Sequence, residues 1–178
     1  MVKKLKIYNN FQIPNNCKHS ILLIGNFDGI HLGHKKLFNL AKKYKKKFNL
    51  KVGVITFEPV PKMYFNKNLK NFRISNLRQK IENLKKLNID FLILKKFDKK
   101  FSKTKSEIFI KNILFKNLKA KYIFVSNNFR FGNKREGDVS QLIANEKRFN
   151  YKTINPNPLV LKKNLVSSTL IRKFLSQG

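Results

Sequence analysis

The chain has 178 residues, and its hydrophobic content of 42% is high enough to build a core, which excludes an intrinsically disordered protein. It carries 40 Lys and Arg residues against nine Asp and Glu, a net charge of +31, but the basic residues are almost all Lys and are spread along the chain. Such dispersal favours a solvated surface over a nucleic-acid-binding patch, so we expect no specific nucleic-acid partner.

One cysteine excludes an internal disulfide and is typical of a reducing compartment. The N-terminus has no signal-peptide pattern, and no apolar run is long enough to span a membrane. We therefore expect a cytoplasmic protein with no membrane partner and a single domain over residues 1–178.

Short apolar runs alternate with amphipathic stripes along the first 125 residues. Strands are predicted at 4–8, 21–24, 51–57, 90–94 and 121–125. Helices are predicted at 35–46, at 75–87 and between 104 and 118. Strands that alternate with helices over short links predict an α/β fold built on a doubly wound parallel sheet.

Local residues predict where these elements begin and end. Ser75 is the expected N-cap of the second helix, and Thr104 and Glu107 have the spacing of a capping box for the third. Pro59 and Pro61 are expected to exclude both helix and sheet after the 51–57 strand, which leaves a stiff loop.

The pattern changes after residue 125. Residues 126–137 are polar, contain two glycines and predict a binding loop. The further predicted elements are a helix capped by Asp138 that ends near 148, extended pieces at 151–154 and 159–161, and a helix at 169–175 capped by Ser167 or Ser168. We therefore expect a small β-containing subdomain near the C-terminal part.

The stretch ILLIGNFDGIHLGH, residues 21–34, combines a strand, a glycine-rich turn and a helix start. A helix N-terminus presents unpaired N–H groups, and glycines let a phosphate approach the backbone. With His31 and His34 three residues apart, this predicts an anion site. Two alternatives stay open: a tight connection without a ligand, and a zinc site on Asp28, His31 and His34, for which nothing nearby completes a ligand set.

Four stretches, in chain order, resemble one family. They are GNFDGIHLGH at 25–34, TFEPVP at 56–61, NFRFGNKREGD at 128–138 and VSSTLIR at 166–172. The first resembles the HxGH motif of the nucleotidyltransferase superfamily. Together they are similar to the adenylyltransferase module of bacterial bifunctional riboflavin kinase/FMN adenylyltransferases, the FAD synthetases. The resemblance implies a Rossmann-like fold and transfer of AMP from ATP to FMN, which gives FAD and pyrophosphate, with Mg²⁺ bridging phosphate oxygens.

The resemblance also implies roles for individual residues, with no metal-ligating residue among them. The catalytic residues would be His31, His34, Ser168 and Arg172. The ATP-binding residues would be Gly25, Phe27, Asp28, Gly29, Gly33, Ser167 and Thr169. The flavin-binding residues would be Phe57, Glu58, Pro59, Asn128, Phe129, Arg130 and Phe131. For the phenylalanines core packing is an equal alternative, and for Glu58 a solvated loop position is one.

Two positions depart from the family's usual pattern, with Val60 in place of a His and Ser126 in place of a Gly. The riboflavin kinase barrel that follows in the FAD synthetases has no counterpart up to Gly178. We therefore expect no riboflavin kinase activity and a separate riboflavin kinase as the source of FMN.

Three other functions stay open. Other HxGH transferases, such as phosphopantetheine adenylyltransferase and glycerol-phosphate cytidylyltransferase, lack the 128–138 loop. A non-enzymatic nucleic-acid binder would require clustered basic residues. A decayed relative would bind flavin without turnover, although it would have less reason to retain His31, His34, Ser168 and Arg172.

Overall fold

The computed structural model describes residues 5–69, 72–161, 164–165 and 168–176. The strands are β1 (Lys6–Tyr8), β2 (Ile21–Ile24), β3 (Val52–Glu58), β4 (Phe91–Lys96), β5 (Tyr122–Phe124), β6 (Arg130–Phe131), β7 (Gly137–Asp138), β8 (Lys152–Ile154), β9 (Val160–Leu161) and β10 (Asn164–Leu165). Six of them form a parallel sheet in the order β1–β4–β3–β2–β5–β8. The expected doubly wound parallel α/β fold is confirmed.

Helices connect these strands. They are α1 (Leu32–Phe48), α2 (Pro61–Phe65), α3 (Leu77–Lys85), α4 (Lys99–Ser102), α5 (Ser106–Ile108), α6 (Val139–Ala144), α7 (Glu146–Phe149) and α8 (Ser168–Ser176). Short 3₁₀ turns lie at Asn15–Cys17 and Asn133–Arg135, and a π-helical segment lies at Phe109–Asn117. Within the described ranges, none of these helices has the length and apolar character needed to cross a bilayer.

Alternate residues of the central strands fill two separate cores, one on each face of the sheet. Leu22 and Ile24 belong to the core that also holds the π-helical segment. Ile21 and Leu23 belong to the core that holds α1 and α3. All four side chains are buried, as expected of a strand covered by helices on both faces.

The strand order reverses at β2, and this reversal decides where a ligand can bind. The chain passes from β2 through α1 to β3 on one side, whereas β5 pairs with the other side of β2. Ligands of open α/β sheets bind at the carboxyl ends of the strands, at such a switch point. The loops that follow β2, β3 and β5 therefore frame the candidate site.

Outside the main sheet, two antiparallel strand pairs account for the expected small β-containing part. In the pair β6–β7, Arg130 lies opposite Asp138 and Phe131 lies opposite Gly137. The pair β9–β10 precedes α8.

The predicted start of the second helix was wrong by one residue. Asn76, not Ser75, is the N-cap of α3, and it forms a capping box with Gln79 through bonds of 2.9 Å in each direction. Ser75 lies outside the helix because its hydroxyl and amide face the loop after β2. The two polar residues are adjacent, so propensity alone could not separate them.

Two further predictions about helix starts were wrong. Thr104 does not cap the third helix, which begins at Ser106 after Lys105; the Ser106 N–H instead donates to Oε1 of Glu136 at 2.7 Å. Pro61 does not exclude a helix but occupies the first position of α2, where its missing N–H costs nothing. Asp138, as expected, caps α6 by accepting from the Gln141 N–H at 3.0 Å, although that helix already ends at Ala144.

Candidate active site

A buried phenylalanine within the loop after β2 anchors this loop to the core. Phe27 has a positive φ of 46° and a buried ring, which packs edge-on against Phe38 and His34 at centroid distances of 5.2 and 5.1 Å. A side chain at Gly25 would come within 3.1 Å of that ring. The Phe27 side chain is therefore part of the core under the loop, and it supports His34 from inside.

His31 and His34 lie at the start of α1, where the sequence predicted them. Helix α1 begins at Leu32, earlier than predicted, because His31 is its N-cap and its Nδ1 accepts from the His34 N–H at 3.3 Å. The two rings stack with centroids 3.7 Å apart. Since Nδ1 of His31 accepts a hydrogen bond, the neutral ring carries its proton on Nε2, which makes Nε2 a donor for an incoming anion. Gly33 lies between the two rings in the first turn.

Burial favours the neutral form of both imidazoles, because it lowers the pKa of each. Burial lowers the pKa of His31. Burial and the neighbouring His31 lower the pKa of His34 to about 3, while a hydrogen bond with the Gly29 backbone and the Asp28 carboxylate act in the opposite direction. Nδ1 of His34 is buried and has no hydrogen-bond partner among the described residues. His31 therefore offers a neutral N–H donor rather than a positive charge.

Asp28 is turned away from the open side of the loop and is fully engaged by the protein. Its carboxylate accepts from the Ile74 and Ser75 N–H groups at 3.0 and 3.1 Å, and it is 2% exposed. Gly29, at φ +63°, lies close to the same segment, because a Cβ at this position would be 2.5 Å from Ile74. The carboxylate therefore fixes the loop to the segment before α3 and is not directed toward the imidazoles as a zinc ligand would be.

Helix α8 begins directly beside this loop, so the structure brings the first and last motifs together. The Ser168 hydroxyl donates to the Asp28 carbonyl at 3.2 Å. One turn later, Nη2 of Arg172 donates to the Asp28 carboxylate at 2.6 Å and Nε donates to the Phe72 carbonyl at 2.7 Å. The guanidinium also covers the Phe72 ring at 3.9 Å. Thr169 is exposed on the same turn, and Ser167 lies outside the described residues.

Glu58, at the carboxyl end of β3, is not a solvated loop residue. Its Oε1 forms an ion pair with Arg73, and its Oε2 lies 3.9 Å from Nζ of Lys80, a residue of α3 that is 2% exposed. Burial lowers the pKa of Lys80, and the carboxylates of Glu58 and Asp28 raise it. Val60, where the family usually has His, is buried at the start of α2 and adds no polar group.

Of the predicted flavin-binding phenylalanines, two belong to the core and one has an accessible ring face. Phe57 is buried and stacks on Phe101 at 5.6 Å. Phe131 is buried against Phe109 at 5.4 Å. Phe129 stacks on Phe131 at 5.5 Å and is only half-buried, so part of its ring remains accessible.

The polar residues of the 126–132 loop are exposed. The Asn128 Oδ1 accepts from the Ser126 hydroxyl at 2.9 Å, so the serine that departs from the family pattern orients the asparagine amide. Arg130 forms an exposed ion pair with Asp138 at 3.4 Å. Gly132 has a φ of +79° and lies so close to α5 that a Cβ would be 2.8 Å from the Ser106 nitrogen, which fixes this loop onto the helix. Pro59 follows Glu58 in the neighbouring loop.

The donor set around the site does not form a ready metal centre. Among the residues that the structure describes, no three His, Cys, Asp or Glu side chains are grouped to hold an ion. The carboxylates of Asp28 and Glu58 are each paired with an arginine.

Comparison with known proteins identifies the family. A sequence model of FAD synthetase matches residues 13–170, which include the first three motifs and residues 166–170 of the fourth. The chain belongs to the FAD synthetase family.

Curated relatives of this FAD synthetase family chain are bifunctional riboflavin kinase/FMN adenylyltransferases. That of Buchnera aphidicola from Acyrthosiphon pisum is 39% identical over 97% of this chain, and that of Haemophilus influenzae is 36% identical over 96%. The Escherichia coli K12 protein is 32% identical over 96%. In each case the chain spans about half, 54%, of the relative's length.

A solved structure supports the fold. The crystal structure of a Streptococcus pneumoniae protein described as a macrolide-efflux protein aligns with a TM-score of 0.78 and 27% identity over 94% of this chain and 54% of its own.

Several residues that connect the FAD synthetase motifs to one another were not predicted from the sequence. They are Phe72, Arg73, Ile74, Ser75 and Lys80, and they connect the loop after β2 with Glu58 and Arg172. They lie in a segment with no recognisable motif, and Lys80 is one lysine among many. The one local signal was Arg73, because arginine is much rarer than lysine in this chain.

Proposed function

We propose that this chain transfers AMP from ATP to FMN and releases FAD and pyrophosphate. A phosphate oxygen of FMN attacks the α-phosphorus of ATP, the new P–O bond forms, and the bond from that phosphorus to the bridging oxygen of the β-phosphate breaks. The FMN phosphate is already ionised at neutral pH, so the reaction requires alignment and stabilisation of negative charge rather than a strong base.

The observation that carries the proposal is the meeting of two helix starts at the switch point. His31 and His34 at the start of α1, and Ser168 at the start of α8, converge on the loop that contains Asp28. Helix N-termini favour phosphate, and the Nε2–H of His31 adds a neutral donor. We assign His31 and His34 to the ATP phosphates.

The start of α8 would hold the leaving pyrophosphate. Arg172 uses two of its five N–H groups on Asp28 and Phe72, which leaves donors for phosphate oxygens. The other residues that would bind ATP here are Ser168 and Thr169 and, as inferred from the motif, Gly25, Gly29 and Gly33. Mg²⁺ would arrive with ATP and be held by phosphate oxygens, because the nearby carboxylates are occupied by arginines.

The flavin half would lie between the loops after β3 and β5. The accessible face of Phe129 suits a planar ring, and the exposed Asn128 amide suits its polar edge. Glu58, Pro59 and Arg130 would line this half at its margin. Phe57 and Phe131 support it from the core.

The decisive experiment follows the product. The purified chain is incubated with FMN, ATP and MgCl₂, and FAD is separated by chromatography; riboflavin replaces FMN in the control, because riboflavin has no phosphate to act as nucleophile. We expect FAD from FMN, no product in the control, and no FAD when EDTA removes Mg²⁺. Saturable FMN binding without FAD formation would contradict the proposed transfer and indicate a decayed relative.

A further inference from the structure

Lys80 is the one buried lysine among those whose side-chain exposure the structure describes. Its side chain is 2% exposed, and its Nζ has no hydrogen-bond partner within the described residues. The nearest opposite charge is Oε2 of Glu58, 3.9 Å away, which is itself buried and has no hydrogen bond. Removing an ammonium group from water is costly, so its retention at this place requires a reason.

Lys80 completes a cluster of five charged side chains under the loops that follow β2 and β3. The two carboxylates are Asp28 and Glu58, and the three cations are Arg73, Lys80 and Arg172. The cluster is therefore positive by one charge, and without Lys80 it would be neutral. Asp28 belongs to the loop that leads to His31 and His34; Asp28 and Lys80 are buried, whereas Glu58, Arg73 and Arg172 are partly exposed.

We propose that Lys80 is a positioning residue that acts at a distance: its buried charge makes this cluster net positive and so raises the affinity of the site for the ATP phosphates without contacting them. The proposal rests on the proposed function, which puts ATP at this loop. A buried charge is weakly screened by salt, whereas the many surface lysines are screened strongly. One buried ammonium can therefore contribute more to anion binding than the lysine-rich surface does.

The test measures ATP binding by calorimetry in the absence of FMN, so that no turnover occurs. Lys80→Met removes the charge at similar length, and we expect the Kd for ATP to rise about tenfold. Glu58→Gln makes the cluster more positive while the amide oxygen still accepts from Arg73, and we expect tighter ATP binding. The double variant restores the net charge of one, and its Kd should return to within about twofold of the wild type.

Two controls separate this effect from general charge and from packing. Lys86→Met removes a charge from an exposed residue that borders α3, and we expect its Kd for ATP to change less than about twofold near physiological salt. AMP carries fewer charges than ATP, so Lys80→Met should weaken AMP binding less than ATP binding. Lys80→Arg keeps the charge and should bind ATP like the wild type.

The proposal is overturned if Glu58→Gln weakens ATP binding, or if the double variant binds as poorly as Lys80→Met alone. If Lys80→Met does not fold, Glu58→Gln and the double variant still decide, because removing both partners of a buried pair is milder than removing one. A wild type that binds ATP but makes no FAD contradicts the proposed transfer alone. A wild type that does not bind ATP contradicts both.

Discussion

At the scale of single residues, the two histidines of the motif have different structural tasks. His31 caps α1 through Nδ1 and keeps Nε2–H for a ligand. His34 is largely buried between the His31 ring and Phe27, and a pKa of about 3 keeps it neutral. The His34 ring therefore holds the His31 ring in position by stacking, in addition to any contact of its own with ATP.

The capping role of His31 can be separated from its catalytic role. His31→Asn retains a side-chain oxygen that can cap the helix but lacks the imidazole donor, whereas His31→Ala loses both. We expect both variants to lower kcat by at least about tenfold with a smaller change in the Kd for FMN, because the donor acts on charge that develops during transfer. Only His31→Ala should also lose about 1 kcal/mol of stability in urea unfolding.

The contrast between these variants is the informative result. If His31→Asn keeps the wild-type kcat, the imidazole is a helix cap only. If both variants weaken FMN binding as much as they lower kcat, His31 acts on the ground state and not on the transfer step.

Residue types at the site could be predicted because they recur as motifs, but the directions of their side chains could not. His31, His34, Ser168 and Arg172 do lie together. The resemblance assigned ligand-binding roles to Phe27, Phe57 and Phe131, yet the side chains of all three are buried. Successive side chains at the end of a strand point alternately into the core and toward the site, and the sequence alone does not show which of them point into the core. Lys80 carried no signal, because its burial is decided by Glu58 and Asp28, which are distant in sequence.

At the scale of elements, the segment at 72–75 joins three parts of the site. It donates two N–H groups to Asp28, offers the Phe72 carbonyl and ring to Arg172, and pairs Arg73 with Glu58. The loop after β2, the end of β3 and the start of α8 are thereby held by one short stretch. This explains how α8 and the loop after β2, with Asp28 and Ser168 140 positions apart, keep a fixed geometry.

Asp28 is the residue on which this junction depends. Asp28→Asn puts an amide NH₂ against the Ile74 N–H and, depending on the orientation of the amide, against either the Ser75 N–H or Arg172. It also leaves the guanidinium without its counter-charge. We expect a loss of about 3 kcal/mol in the free energy of unfolding, measured in urea, together with faster amide exchange in α8.

Asp98→Asn is the matched control, because Asp98 caps α4 by accepting from the Phe101 N–H at 2.8 Å and Asn caps equally well. Its stability should stay within about 0.5 kcal/mol of the wild type. Equal, small losses in both variants would show that the Asp28 contacts do not hold α8 to the loop.

The strands and helices were largely predictable from the sequence, whereas some of the residues at which helices begin were not. Apolar runs located β2 and β3 to within a residue, because buried strands require them. The helix starts at Ser75 and Thr104 were misassigned because the tertiary partners Asp28 and Glu136 decide how the polar residues there are used. Asp138 was assigned correctly as a cap because its partner is local.

At the scale of the whole molecule, most of the few acidic residues form a structural contact. Seven of the nine accept a hydrogen bond or an ion pair that fixes an element or a loop: Asp28, Glu58, Asp90, Asp98, Glu136, Asp138 and Glu146. The remaining surface is dominated by lysines, which repel one another. A net charge of +31 on 178 residues therefore opposes folding over long distances, while short-range carboxylate contacts support it.

These two contributions respond differently to salt. Long-range repulsion between exposed lysines is screened, whereas short contacts such as Arg172 with the 2%-exposed Asp28 are screened much less. We therefore expect the Tm and the free energy of unfolding to rise as KCl increases from about 20 mM to about 300 mM, measured by calorimetry and urea titration. KCl is preferred to sulfate or phosphate, since those anions also strengthen burial and compete for a phosphate site.

Replacing the exposed Lys43 and Lys46 of α1 by Gln should reduce the gain in stability with KCl. A stability that falls with KCl would mean that surface ion pairs outweigh the repulsion between lysines.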